Sequence, residues 1–105
     1  MKYTFDAKLW IYTNLTTNAA WHFITVPNIF YEEIKIANYL FKKSFGSIKV
    51  VATINNCSWQ TSIFPDTKTQ CYLLPIKKSI RMANNLCAGA KYNLTLEFMH
   101  GNQLN

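Results

Sequence analysis

The sequence predicts a mainly β fold with two helices, arranged as a small barrel or sheet with the helices at its ends. Six segments alternate as strands do, and two segments between them have helical periodicity. Half of the 105 residues are hydrophobic, which excludes a disordered chain, because such chains lack the apolar surface to offset their ordering entropy. This length suits one domain, expected over residues 1–99, with a polar tail over 100–105.

The first part of the chain predicts a hairpin followed by a helix. Residues 3–12 alternate between apolar and polar side chains, which is typical of a half-buried strand. The polar residues 14–18 indicate a turn, and the aromatic and β-branched residues of 20–26 favour a second strand. Asn28 suits the N-cap of the helix, and Gly46 lies where the helix would end.

The apolar residues of this helix predict its buried face. They recur three or four positions apart, as expected of one face packed on a core. The stripe consists of Phe30, Ile34, Ala37 and Phe41 and is widened by Ile36 and Leu40. Glu32 and Glu33 near the start, and Lys42 and Lys43 at the end, complement the helix dipole.

The second part of the chain predicts four more strands and a second helix. The predicted elements are strands at 47–54, 57–64, 71–74 and 92–98, a loop at 65–68 and a helix over 76–86. Asn55 and Asn56 indicate a tight hairpin turn, because asparagine tolerates positive φ. Pro75 is expected to open the second helix, whose buried stripe would contain Ile76, Ile80 and Ala83.

The balance of charges favours anionic partners. Eleven Lys and Arg against five Asp and Glu give a net charge of +6. Nucleic acid, phosphorylated ligands and acidic membrane surfaces are the polyanions that such an excess attracts. The codon bias of an AT-rich genome would produce the same excess without any partner.

The cysteines and the N-terminus predict a reduced, cytoplasmic protein with no membrane partner. The chain has an odd number of cysteines, and no two of them have C-x-x-C spacing; they are Cys57, Cys71 and Cys87. Charged residues occupy positions 2, 6 and 8, where a signal peptide would have its apolar core. No apolar run approaches the ~20 residues of a membrane span.

The most informative charged cluster is Lys77, Lys78 and Arg81, which share one face at helical spacing. Positive charge in a first helical turn opposes the macrodipole and costs up to ~1 kcal/mol. The free N–H groups at the same end attract anions. We therefore expect an anion or nucleic-acid site here, which Lys49 and Lys68 would extend. The alternative is a charged face that is merely solvated.

Exposed aromatic residues would add base stacking to such a site. Trp10 and Tyr12 lie on the polar-phase face of the first strand, whereas Trp59 alternates with Cys57 and Thr61. The alternative for each aromatic residue is burial in the core, where most such side chains of a small domain lie.

No catalytic or metal-binding motif is present in the sequence. His22 and His100 are far apart, and nothing near them has zinc-ligand spacing. No nucleophile is paired with a base, and no glycine-rich phosphate loop occurs. We expect no cofactor and no catalytic residue, and enzymatic activity stays open only as a small-molecule pocket at the barrel mouth containing Ser62, Tyr72 or Lys77.

Several segments, in their order along the chain, resemble a small bacterial family of unknown function. They are residues 21–27 (WHFITVP), 48–50 (IKV), 61–65 (TSIFP), 72–78 (YLLPIKK) and Arg81. The family's domain occurs alone or joined to bacteriocin-protection regions of the YdeI/OmpD-associated type. The resemblance covers residues 2–98 and implies a double-split β-barrel capped by helices, with no known activity to carry over.

A second, local resemblance concerns residues 74–96. They are similar to one half of the AbrB/MazE-type swapped-hairpin domains, which bind DNA through basic residues and build a barrel from two chains. The resemblance implies that one chain supplies both halves here, and DNA binding follows only by analogy of fold. Gly89-Ala90 departs from the first family's usual Gly-Asp, so any role of that aspartate is absent.

Three functional hypotheses follow from the sequence. The leading one is a non-enzymatic binding module for an anionic ligand or nucleic acid. The second is a protein-interaction or accessory domain without a ligand of its own, in which the basic face is only solvated. The third is the small-molecule pocket. The sequence does not predict an oligomeric state.

Overall fold

A computed structural model describes residues 1–42 and 46–99, with the side chains of residues 41 and 42 excepted. The elements in chain order are β1 (Lys2–Thr13), β2 (Ala20–Val26), a 3-10 helix (Asn28–Phe30), α1 (Tyr31–Lys42), β3 (Ile48–Ile54), β4 (Cys57–Asp66), β5 (Cys71–Pro75), α2 (Lys78–Asn84) and β6 (Lys91–Phe98). The predicted tail over 100–105, Lys43 and the side chains of Phe41 and Lys42 lie outside this description.

The strands close into one antiparallel barrel in the order β1-β2-β5-β4-β3-β6. The two longest strands are each shared between two sets of partners. Residues 2–8 of β1 pair with β6 and residues 9–13 with β2, while residues 57–63 of β4 pair with β3 and residues 64–66 with β5. The barrel thus has a β6–β3 side and a β2–β5 side that meet in β1 and β4. This confirms the predicted mainly β fold with two helices and a barrel.

Alternating residues of every strand fill the barrel interior. The side chains that are almost completely enclosed include Leu9, Ile24, Ile54, Ile63, Tyr72, Leu74, Leu94 and Leu96. Each large apolar side chain buried in this way contributes roughly 1.5–3 kcal/mol. Helix α1 adds Tyr31 and Ile34 to the same core, and the hydroxyl of Tyr3 in β1 donates to the carboxylate of Glu33.

The start of the first helix differs from the prediction. A 3-10 helix comes first, and Asn28 makes no cap because its side-chain amide donates to the carbonyl oxygens of Thr69 and Gln70, at 3.4 and 2.7 Å. The amide thereby attaches the start of the helix to the turn between β4 and β5.

The predicted stripe of the first helix is correct at Ile34 and wrong at two positions. Ile34 is fully buried, but Ile36 and Leu40 are 54% and 62% exposed. Ile36 lies about 200° around the helix from Ile34, and only one narrow face of α1 meets the barrel. Asn38, one turn after Ile34, is buried in their place.

The predicted second helix is wrong at both ends. Pro75 ends β5 opposite Phe23, and the backbone N–H of Ile76 donates to the carbonyl of His22, at 2.9 Å. These contacts keep the chain extended as far as Lys77, so α2 begins at Lys78. The helix stops where Asn85 adopts a left-handed conformation with φ of 54°. Ala83, predicted to be buried, is exposed.

Two turns show how local residues set the register. Asn55 and Asn56 have φ of 51° and 66°, which confirms the predicted tight hairpin between β3 and β4. The predicted loop over 65–68 is wrong in its first half, since β4 continues through Pro65 and Asp66.

Neither helix in the described part of the chain has the length and apolar character to cross a membrane. Its three cysteines form no disulfide.

Candidate functional site

The two sides of the barrel have different outer surfaces. On the β6–β3 side most outward side chains are polar, and several bond across strands: Thr4 with Thr95, Thr53 with Ser58, and Asn93 with Asp6. On the β2–β5 side, apart from Asp66, the side chains that line a shared outer groove are aromatic or apolar: Trp10, Tyr12, Trp21, Phe23, Phe64, Leu73 and Pro75. We call this second set the aromatic face.

The aromatic face forms a groove of about 680 Å³. The ring of Trp21 lies nearly parallel to that of Phe23, with centroids 6.4 Å apart, and Trp10 packs on the same ring at 5.3 Å. The indole N–H of Trp10 donates to the hydroxyl of Thr25 at 2.8 Å, which satisfies its polar atom and fixes the ring. Trp21 remains 55% exposed, so much of its surface is available to a ligand.

A second groove, of about 370 Å³, carries the basic residues of the α2 region. We call it the basic groove. It is lined by Ala20, Trp21, His22, Thr61, Pro75, Ile76, Lys77, Lys78 and Arg81. Both lysines are exposed. No carboxylate belongs to the described residues that line this groove.

Neighbouring groups fix the position of Arg81 in the basic groove and lower the pKa of His22. The guanidinium of Arg81 donates to the carbonyl of Ile76 at 2.6 Å, which holds it beside the groove. Burial and then the positive charge of Arg81 lower the pKa of His22 below its usual value of 6.5. The imidazole is therefore neutral at pH 7, and the groove's positive charge there comes from the lysines and Arg81.

A third groove, of about 490 Å³, brings Lys49 to the same region. Lys49 and Ser62 line it with Phe64, Thr61 and Pro75 among others. Pro75 borders all three grooves, so the outer face of β5 joins them into one surface.

Lys68 lies apart from the other basic candidates. It is in the turn at the opposite end of β5 from Lys77, and a five-residue strand spans roughly 16 Å. Its backbone N–H donates to the carboxylate of Asp66 at 3.3 Å. The structure therefore brings Lys49, Lys77 and Arg81 to one surface and leaves Lys68 away from it.

Ser62 and Tyr72, the candidates for a pocket at the barrel mouth, border different cavities. Ser62 faces the outer groove of Lys49, whereas Tyr72 lies in the core and borders a cleft of about 310 Å³ beside Tyr31 and Lys35. Burial, followed by the influence of Tyr31 and Glu32, raises the pKa of Tyr72 to about 12. Its hydroxyl has no hydrogen-bond partner among the described residues.

Sequence analysis missed Trp21, Phe23 and Phe64 as parts of a surface. Of the aromatic residues for which exposure and burial were left open, Trp10 and Tyr12 face outward, whereas Trp59 packs against the core. The overlooked signal was the alternation of side chains along residues 20–26. Ile24 and Val26 face the core, so Trp21 and Phe23, at odd-numbered positions, lie on the opposite, outer face. Strand pairing then sets Trp21 opposite Tyr12.

The described residues contain no group of three or more His, Cys, Asp or Glu side chains placed to hold a metal ion. The aromatic face and the basic groove are lined by aromatic rings, two ammonium groups and a guanidinium. These groups bind planar and anionic ligands.

The fold defines the class: a small closed antiparallel β-barrel domain with a helix packed on its core. Residues 5–96 match the family described as a domain of unknown function, DUF1905, and the chain belongs to that family. This confirms the resemblance to a small barrel family of unknown function. A comparison with curated proteins finds no match.

Proposed function

We propose that the chain is a nucleic-acid-binding module that contacts phosphates through the basic groove. One observation carries the proposal: Lys77, Lys78 and Arg81 line a single groove whose described lining contains no carboxylate. Positive side chains without a nearby counter-charge attract polyanions and steer their approach. The net charge of +6 adds a favourable long-range field.

The positions of the two lysines support a binding role. Helix α2 has no acidic residue in its first turn and no side-chain cap at Lys77. Positive charge at this end of a helix costs about 0.3–1 kcal/mol, because it opposes the dipole. A phosphate group in the groove would offset that cost. Helix α2 has only seven residues, so the argument for binding depends on the lysine side chains and not on the backbone N–H groups of the helix.

Lys49 extends the positive surface across Pro75. It comes from β3, and its groove shares Thr61 and Pro75 with the basic groove. An extended polyanion can contact both grooves at once, whereas a single small anion can occupy only one. This favours nucleic acid over a small phosphorylated ligand.

The salt dependence of binding tests the proposal. Fluorescence anisotropy would give the affinity for a labelled oligonucleotide at about 50 and about 200 mM salt. Each phosphate contact contributes roughly 0.7 to the slope of log affinity against log salt for single strands. Lys77→Ala with Lys78→Ala should lower that slope by about 1.4 and weaken binding at low salt.

Lys68→Ala is the matched control, because it removes an exposed lysine at the opposite end of β5 from Lys77. If Lys68→Ala weakens binding as much per charge removed as the groove variant does, attraction is only by net charge and the proposal fails. Absence of binding by the unmodified chain at low salt would also overturn it.

A further inference from the structure

The aromatic face is much less polar than a sheet surface that contacts only water. The solvent side of an antiparallel sheet is normally polar, as it is on the β6–β3 side of this barrel. On the β2–β5 side, Trp21, Tyr12 and Phe64 are 55%, 51% and 46% exposed. Contiguous exposed apolar surface of this kind marks a place where another molecule binds.

The rings of this face are already held in place. Trp10 is fixed by its hydrogen bond to Thr25 and packs on Phe23, and Phe23 in turn lies parallel to Trp21. A ligand that stacks on Trp21 would therefore order few side chains. Prior ordering of this kind favours affinity, because binding then costs less conformational entropy.

The charges around the face indicate what binds there. Trp21 and Pro75 border both the aromatic face and the basic groove, and Phe64 and Pro75 border the groove of Lys49. Asp66 is the one acidic residue among the described residues lining the face. A ligand that covers the rings and reaches Lys77 and Lys78 needs flat apolar groups linked to negative charges.

We infer that the aromatic face stacks the unpaired bases of a single strand, so that the module selects single-stranded over double-stranded nucleic acid. The inference rests on the proposed function, because the basic groove supplies the phosphate contacts. Bases in a duplex are stacked on each other and paired, so their flat surfaces cannot reach Trp21. In a single strand each base has a free face, and exposed aromatic rings bind such faces with little sequence preference.

Binding to two probes of equal length tests the inference: an oligo-dT strand and a blunt duplex. Trp21→Ala should weaken binding to oligo-dT roughly fivefold to 150-fold, and should weaken duplex binding by a much smaller factor, because Trp21 also borders the basic groove. Trp21→Phe should retain most of the affinity, because a ring remains. Ile36→Ala, which trims a similarly exposed apolar side chain on α1, should change neither affinity. Circular dichroism would establish that each variant is folded.

The outcomes separate this inference from the proposed function. If Trp21→Ala affects strand and duplex equally, or neither, while Lys77→Ala with Lys78→Ala weakens both, base stacking is wrong and phosphate binding stands. If the lysine variant has no effect either, both fail. If the unmodified chain forms a dimer that Trp21→Ala dissociates, or if a peptide partner competes with oligo-dT at the face, the inference is overturned.

Discussion

Two buried tyrosines differ in whether their hydroxyl groups are hydrogen bonded. The Tyr3 hydroxyl donates to the Glu33 carboxylate, and it connects β1 to α1. The Tyr72 hydroxyl is buried with no partner among the described residues. Burial raises the pKa of both phenols, that of Tyr72 to about 12, and for Tyr3 the bond to Glu33 raises it further. Both are therefore protonated at neutral pH.

This difference predicts opposite effects of removing the hydroxyl. Tyr3→Phe should lower the free energy of unfolding by about 1–3 kcal/mol, because a hydrogen bond to a charged group is lost. Tyr72→Phe should leave it unchanged or raise it by about 1 kcal/mol, because an unsatisfied buried group is removed. Urea denaturation at pH 7 measures both. A loss in Tyr72→Phe as large as that in Tyr3→Phe would mean that the Tyr72 hydroxyl is bonded.

At the scale of elements, the strands were easier to predict than the helices. Alternation has a short period, so it identifies a strand and its buried side within one segment, as in residues 3–12. The second helix was misplaced because proline suits both a helix start and a strand end. Here proline ends a strand, because the backbone N–H of Ile76 donates a hydrogen bond to the carbonyl of His22, 54 positions earlier in the chain. A contact between residues so far apart in sequence cannot be predicted from local patterns.

Helix α1 provides a direct test of which face it buries. Ile34→Ala should lower the free energy of unfolding by about 2–5 kcal/mol, because it leaves a cavity in the core. Ile36→Ala should change it by less than about 0.5 kcal/mol, since that side chain is mostly in solvent. Chemical denaturation of the two variants measures the difference. Equal losses would show that the helix packs through a wider face.

At the scale of the whole molecule, the candidate site is produced by strand pairing. The spacing of Lys77, Lys78 and Arg81 was visible in the sequence because it is local. Their meeting with Trp21 and Lys49 was not, because those residues come from β2 and β3 and are joined only through the barrel. The same closure separates Lys68 from the group, although it lies nearer in sequence than Lys49 does.

The change of strand partners coincides with a change in the outer surface of the barrel. β1 and β4 each change partners midway, and their outward residues change from polar to aromatic at the same point of each strand. Lys8 is followed on that face by Trp10, and Ser62 by Phe64. Outside the groove of Lys49, the β6–β3 side is an ordinary polar surface, which serves as an internal reference for binding experiments.

The most direct measurement is a nuclear magnetic resonance titration of the isotope-labelled chain with a short oligo-dT. The expected result is saturable shifts at the indole N–H groups of Trp10 and Trp21 and at the amides of Lys77 and Lys78. The indole signal of Trp59, which packs against the core, should remain in place. Shifts confined to the exposed residues of α1 or to the part of the β6–β3 side outside the groove of Lys49, or no saturable shifts at all, would contradict this account of the site.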